Sequence, residues 1–154
     1  MKRKLLIILP AALIVIIAVV CGLIFALHPA PFRLDDQYYG EAGLETISAD
    51  QLQRLVDEKS SFAVFVSQPA CRASDNFEKV LQSFVAEHPM KFYEIAFSDL
   101  ENLPFVADVR FYPSFLIFKK GKLVDFLEAD NDDHAAAYTS LDGFQTWLTE
   151  QVIL

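Results

Sequence analysis

An α/β fold, with a mixed central sheet, helices on both faces and one transmembrane helix in front, is what this 154-residue chain predicts, and three observations carry it. From Gly43 on, runs with the two-residue period of strands take turns with runs of helical period, each switch marked by a turn or cap residue. Phe62-Ala63-Val64-Phe65-Val66 is apolar at every position, which suits a central parallel strand covered on both faces. Ahead of both, Leu5 to Leu27 is a run of 23 residues without a charge. As a helix it reaches about 35 Å, enough to cross a hydrocarbon core of ~30 Å.

Taken in order, Lys2, Arg3 and Lys4 precede that run and an acidic body follows it, so the positive-inside rule puts the N-terminus in the cytoplasm and the body outside. The expected organisation is therefore residues 1–4 cytoplasmic, 5–27 a transmembrane signal anchor, 28–42 a linker and 43–154 one domain, a single-pass protein of the cell membrane. A cleaved signal has a shorter apolar region and an Ala-x-Ala-like site, and Ala26-Leu27-His28 lacks the second small residue. Cys21 follows Val20 rather than a small residue, so it reads as an apolar residue of the span and not as a lipid attachment site. His28-Pro29-Ala30-Pro31 and Asp35-Asp36 show no period and read as a tether.

Gly43 to Ile47 opens the domain as a short edge strand. Ser48, with Gln51 three residues on, is a capping-box signature for a helix carrying Leu52, Leu55 and Val56 on one face and ending near Lys59-Ser60. The apolar strand from Phe62 follows. Phe77, Val80, Leu81, Phe84 and Val85 recur at helical spacing, predicting a helix from near Cys71 to Glu87, where His88-Pro89 stops it. Lys91 to Phe97 is the next strand; Ser98-Asp99 is expected to cap a short helix through Phe105-Val106. Ser114 to Phe118 is another strand, and Lys119-Lys120-Gly121-Lys122 leaves so little loop before Leu123 to Leu127 that the two must pair antiparallel. A last helix begins near Ser140, with Leu141, Phe144 and Leu148 on its buried face.

Composition narrows the function. At 53% hydrophobic the chain is too apolar to be disordered. With 13 Lys and Arg against 21 Asp and Glu it has no basic footprint for a phosphate backbone, so no nucleic-acid partner is expected. Asp130-Asn131-Asp132-Asp133-His134 lacks the glycine and distal glutamate of an EF-hand. His28, His88 and His134 are scattered and the body holds one Cys, so no zinc-ligand spacing exists, and neither metal nor cofactor is expected. Ser67 has no Gly-x-Ser-x-Gly setting, which argues against a serine hydrolase.

The chemistry concentrates at Ser67-Gln68-Pro69-Ala70-Cys71-Arg72-Ala73-Ser74, where the buried strand hands over to the long helix. A thiol at a helix start meets unpaired N–H groups and the positive end of the helix dipole, which favour the thiolate, and Arg72 adds a nearby positive charge. Ser74 brings a hydroxyl within reach of the sulfur but cannot form a disulfide. The opposing readings are a small buried Cys71 without chemistry, a Ser74 that hydrogen-bonds locally, and a Pro113 that is an ordinary proline at a strand start.

The run Phe62 to Phe84 resembles the active-site strand and helix of the thioredoxin superfamily, with Cys71-Arg72-Ala73-Ser74 in the place of the Cys-x-x-Cys motif. Val109-Arg110-Phe111-Tyr112-Pro113-Ser114-Phe115-Leu116-Ile117-Phe118-Lys119-Lys120-Gly121-Lys122 is similar to the family's second signature, in which a proline in cis opens a strand that ends in a Lys-x-Gly-like turn. The likeness covers residues 43–154 and implies a thioredoxin-like fold. It also implies that Pro113 is the cis-proline and that its loop, with Tyr112, lies beside Cys71 and binds the substrate backbone. The sequence departs from the pattern at three places: Ser74 replaces the second cysteine, Ala70 the tryptophan before the first, and Phe65 a buried aspartate.

With one thiol the resemblance implies thiol–disulfide exchange of the isomerase or mixed-disulfide type on exported proteins, with Cys71 as nucleophile. A low-molecular-weight thiol, another reductant, or a second cysteine of the substrate would supply the resolving step. The alternative is a redox-inactive binding or accessory module on the membrane surface, of the kind that assists peptide or bacteriocin export.

Overall fold

The computed structural model describes residues 30–100, 103, 107, 109–110 and 112–154. The expected cytoplasmic residues 1–4, the span 5–27, Cys21, His28 and most of the helix expected through Phe105-Val106 lie outside the described residues. Among the described residues no helix is long and apolar enough to cross a membrane.

The elements are β1 (Gly43–Thr46), α1 (Ala49–Asp57), β2 (Phe62–Ser67), α2 (Arg72–Glu87), β3 (Lys91–Ala96), β4 (Ser114–Lys119), β5 (Lys122–Leu127), α3 (Ala135–Thr139) and α4 (Leu141–Gln151). The strands form one sheet in the order β1-β3-β2-β4-β5. β1, β3 and β2 run parallel, while β4 and β5 are antiparallel to their neighbours. β2 lies in the middle and its residues Phe62 to Val66 are all buried, as a continuous apolar run requires.

Alternation sorts the side chains onto two faces. Phe65, Phe92 and Phe115 share one face with the helices α2 and α4: Phe65 meets Phe77 at 5.5 Å between ring centroids, Phe92 meets Phe84 at 5.9 Å, and Phe115 meets Phe144 at 5.1 Å. Such edge-to-face and offset pairs contribute roughly 0.5–1.5 kcal/mol each beyond their burial. Phe62 and Phe118 lie on the other face, stacked at 4.6 Å, with Tyr93 and Tyr38 beside them. α1 sits on this face too, sharing a cleft with Tyr93 through Gln51, Arg54 and Leu55.

The capping box foreseen for α1 is present: Gln51 N–H donates to Ser48 Oγ at 3.3 Å and Ser48 N–H donates to Gln51 Oε1 at 2.8 Å. The helix ends in a Schellman motif, with Lys59 at φ 58° and bonds from Lys59 N–H to Val56 O and Ser60 N–H to Leu55 O. After β3 comes a 3-10 turn, Phe97–Asp99, whose N-cap is Ala96 rather than Ser98.

One segment differs from the sequence reading. Residues 31–42, expected as a tether, pack onto the domain: Leu34 and Tyr38 are buried, and Phe32 pairs with Val152. Asp35 is the fastener, accepting from Ser61 N–H through its carboxylate at 3.0 Å and donating its own N–H to Ser61 O at 2.9 Å. The apolar spacing Phe32, Leu34, Tyr38 fits neither regular period, so the prolines and acids around it dominate a reading by periodicity. Asp130, Asp132 and Asp133 of the acidic loop are exposed. Asp132–His134 forms a 3-10 turn, capped by Asn131 accepting from Asp133 N–H, and leads directly into α3.

Candidate functional site

β2 ends at Ser67, and Gln68 to Cys71 reverse the chain into α2. Cys71 N–H donates to Gln68 O at 3.2 Å, closing a four-residue turn with Pro69 second and Ala70 third. Ala70 has φ 59°. Proline followed by a residue of positive φ defines a type II turn, whose third position is ordinarily glycine because a Cβ is strained there. An alanine in that position places a strained backbone immediately before the thiol.

Cys71 is the N-cap of α2, one residue ahead of the first turn to which the sequence assigns it. Its carbonyl accepts the first helical bond, from Asp75 N–H at 3.1 Å. Its side chain makes no capping hydrogen bond, carries a free thiol, and is partly exposed. Arg72 follows on the exposed surface of the first turn, which also holds Asp75.

Ser74 is buried, and its hydroxyl accepts from Gln68 N–H at 2.9 Å. That bond spans the turn from its first residue to the helix, so the hydroxyl at the position of a second thiol fastens the loop that presents Cys71. Local hydrogen bonding, the plainer of the two readings of Ser74, accounts for this contact.

The second half of the site reaches the first through strand register. Val66 is paired with Ser114 across β2 and β4, so Pro113 enters β4 next to the end of β2 from which the Cys71 turn departs. The Tyr112–Pro113 peptide is cis, and Pro113 is buried. Tyr112 is half-buried, its ring 4.3 Å from that of Phe97 and its hydroxyl donating to Val109 O at 3.2 Å. Burial pushes the Tyr112 phenol up, holding it neutral.

A residue that sequence reasoning missed completes this end of the molecule. Tyr138, on α3, donates its hydroxyl to Pro113 O at 2.7 Å and lies 3.0 Å from Leu127 O, while its ring packs 4.6 Å from Phe77 of α2. Burial pushes its phenol up as well, with Glu128 next in effect. No apolar period marks α3, whose first residues are three alanines, so nothing in the sequence singles Tyr138 out. Among the described residues no group of three or more His, Cys, Asp or Glu is placed to hold a metal ion.

The chain matches no known family model and no curated protein. Solved structures do match it. A thioredoxin from Nicotiana alata superposes with a TM-score of 0.56 at 16% identity, covering 74% of this chain and 96% of that one. The thioredoxin of Malassezia sympodialis gives a TM-score of 0.55 at 16% identity over 72% of this chain and 92% of that one. The reduced Schistosoma mansoni thioredoxin pre-protein gives 0.53 at 14% identity over 73% and 100%. The fold is therefore thioredoxin-like, a five-stranded mixed sheet with helices, and at these identities the likeness extends to the fold alone.

Proposed function

We propose that the chain is a membrane-anchored, extracytoplasmic monothiol protein that carries out thiol–disulfide exchange on exported proteins. The observation that carries the reading is Cys71, a free, partly exposed thiol at the N-cap of α2, with its side chain uncommitted to a capping bond. The uncharged run from Leu5 to Leu27 supplies the anchor, and exchange suits a compartment in which disulfides persist.

In the first step the Cys71 thiolate attacks one sulfur of a protein mixed disulfide. A Cys71 mixed disulfide forms, the substrate disulfide breaks, and the substrate's other sulfur leaves as a thiolate that takes up a proton. Ser74 cannot resolve this species. Where Cys71 holds the small-thiol half, a low-molecular-weight thiol attacks that half's sulfur, releasing the Cys71 thiolate and carrying away the oxidised small disulfide; where Cys71 holds the protein half, another cysteine thiolate of the substrate attacks the substrate sulfur, forming an internal substrate disulfide and releasing the Cys71 thiolate without net redox change. The Tyr112–Pro113 loop, beside the turn, is the surface on which the substrate backbone would lie.

The test uses the full-length protein in detergent micelles and a glutathionylated peptide, with mass spectrometry of the products. The expected result is free peptide thiol together with a glutathione adduct on Cys71, both abolished by Cys71→Ser. Unchanged peptide, with Cys71 alkylated only after denaturation, would overturn the reading. A redox-inactive binding module would take its place, and the buried Ser74 hydroxyl, committed to Gln68 N–H, is the observation that favours that second reading.

A further inference from the structure

The tyrosine on α3 touches both halves of the site. Its ring rests on Phe77, six residues beyond Cys71 on the same helix side of the turn, and its hydroxyl reaches the carbonyl of Pro113. A phenol has one proton to give, and two carbonyls lie within reach, Pro113 O at 2.7 Å and Leu127 O at 3.0 Å. Leu127 O has a second donor, the Ser114 hydroxyl, at very short range. The shorter distance and the competing donor both assign the Tyr138 proton to Pro113 O. Pro113 is buried, and a buried carbonyl that loses a donor is destabilised because water does not replace it.

We infer that Tyr138 is a positioning residue, holding the Tyr112–Pro113 loop at a fixed height against the cysteine helix so that a substrate strand meets Cys71 in register. The inference rests on the exchange reading above. Tyr138 does not touch the reacting sulfurs; it acts through Pro113 on one side and Phe77 on the other. The acidic loop and α3, which follow β5 and precede α4, then have a purpose in the fold: they bring this hydroxyl to the loop.

Tyr138→Phe keeps the ring on Phe77 and removes the hydroxyl. In the full-length protein the expected result is a fall of about three- to tenfold in kcat/KM for the glutathionylated peptide, the size of one lost hydrogen bond. The rate of Cys71 alkylation by iodoacetamide, which needs no loop contact, is expected to stay within twofold, while amide hydrogen exchange across residues 112–115 quickens. Unchanged kcat/KM overturns the inference. An equal fall in alkylation and exchange also overturns it, because the effect then lies in the thiol or the whole fold. If the wild-type chain shows no Cys71-dependent exchange, the exchange reading is what fails, and amide exchange alone decides: faster in Tyr138→Phe supports the tether, and identical protection overturns it.

Discussion

The two ends of the sheet handle the same backbone problem differently. At the end where β2 begins, Lys59 and Lys120 take left-handed conformations with φ 58° and 51°; at the other end Ala70 does so with φ 59°, one residue before Cys71. Around Lys59 and Lys120 the hydrogen bonds interlock. Lys120 N–H donates to Ser61 Oγ at 3.1 Å, Gly121 N–H to Ser60 O at 2.8 Å, and Ser61 N–H to Asp35 Oδ2 at 3.0 Å, so the β4–β5 turn, the end of α1 and the N-terminal segment form one knot. The Ala70 turn is held by the Cys71-to-Gln68 bond at 3.2 Å and the Gln68-to-Ser74 bond at 2.9 Å, and Gln68, Pro69 and Ala70 are all exposed. The left-handed residues are exposed at both ends, but at the base hydrogen bonds from three segments interlock around them, whereas the turn before the thiol is held by two local bonds alone.

The largest effect should come from loosening the base. Gly121 has φ 72°, and a Cβ there would stand 2.2 Å from Val56 O and 3.1 Å from Lys59 Cα, both backbone atoms. Gly121→Ala therefore combines a left-handed alanine with a forced separation of the hairpin from α1, costing on the order of 3 kcal/mol. Thermal unfolding should show a Tm lower by on the order of 10 °C. A melting temperature within a degree or two of wild type would mean that the knot yields freely, and the contrast between the ends would lose its physical basis.

Ala70→Gly asks the converse question at the thiol end. A left-handed L-residue costs roughly 1–2 kcal/mol, and the added freedom of glycine in the unfolded chain returns roughly 0.5–1 kcal/mol of that. The variant should be more stable by about 0.5–1 kcal/mol, a rise of a few degrees in Tm. A loss of stability would show that Ala70 is relaxed where it stands, and the turn before Cys71 would then carry no stored strain.

The sequence exposes one side of this contrast more readily than the other. Features written in consecutive residues are legible: Phe62 to Val66, the Phe77-to-Val85 stripe, and the Ser48-Gln51 box each appear as local pattern, and the short Lys119-to-Lys122 link requires the antiparallel hairpin that forms. Cys71 was placed to within one residue, because a strand-to-helix junction is itself a change of period. What stayed hidden depends on contacts between distant residues. Tyr38 reaches Tyr93 across 55 positions, Asp35 reaches Ser61 across 26, and Tyr138 reaches Pro113 across 25. The commitment of Ser74 to Gln68 was hidden for a related reason, since spacing shows which side chains are near one another but not which acceptor a hydroxyl takes.

The hairpin that joins the two ends also carries a small electrostatic difference along its length. Lys122 opens β5 at the base and is exposed, whereas Asp125, opposite Ile117 and further toward the site end, is partly enclosed. Burial pushes its carboxyl above the ordinary range, only partly offset by the Phe126 N–H, which donates to Oδ1 at 2.8 Å, and by His134. Between the unfolded value and this raised folded value the folded chain holds more of the proton than the unfolded chain does. Stability therefore falls as pH rises through that window, and the deficit persists at neutral pH. Asp125→Asn removes the charge and keeps an oxygen to accept from Phe126 N–H, so the variant should be slightly more resistant to urea at pH 7 and should converge with wild type as pH falls to about 3, near and below the ordinary carboxylate range. Equal urea midpoints at both pH values would mean that the Phe126 N–H and His134 fully offset the burial of Asp125. The upper half of the hairpin would then carry no charge penalty, leaving the Ala70 turn as the place where the site end differs from the base.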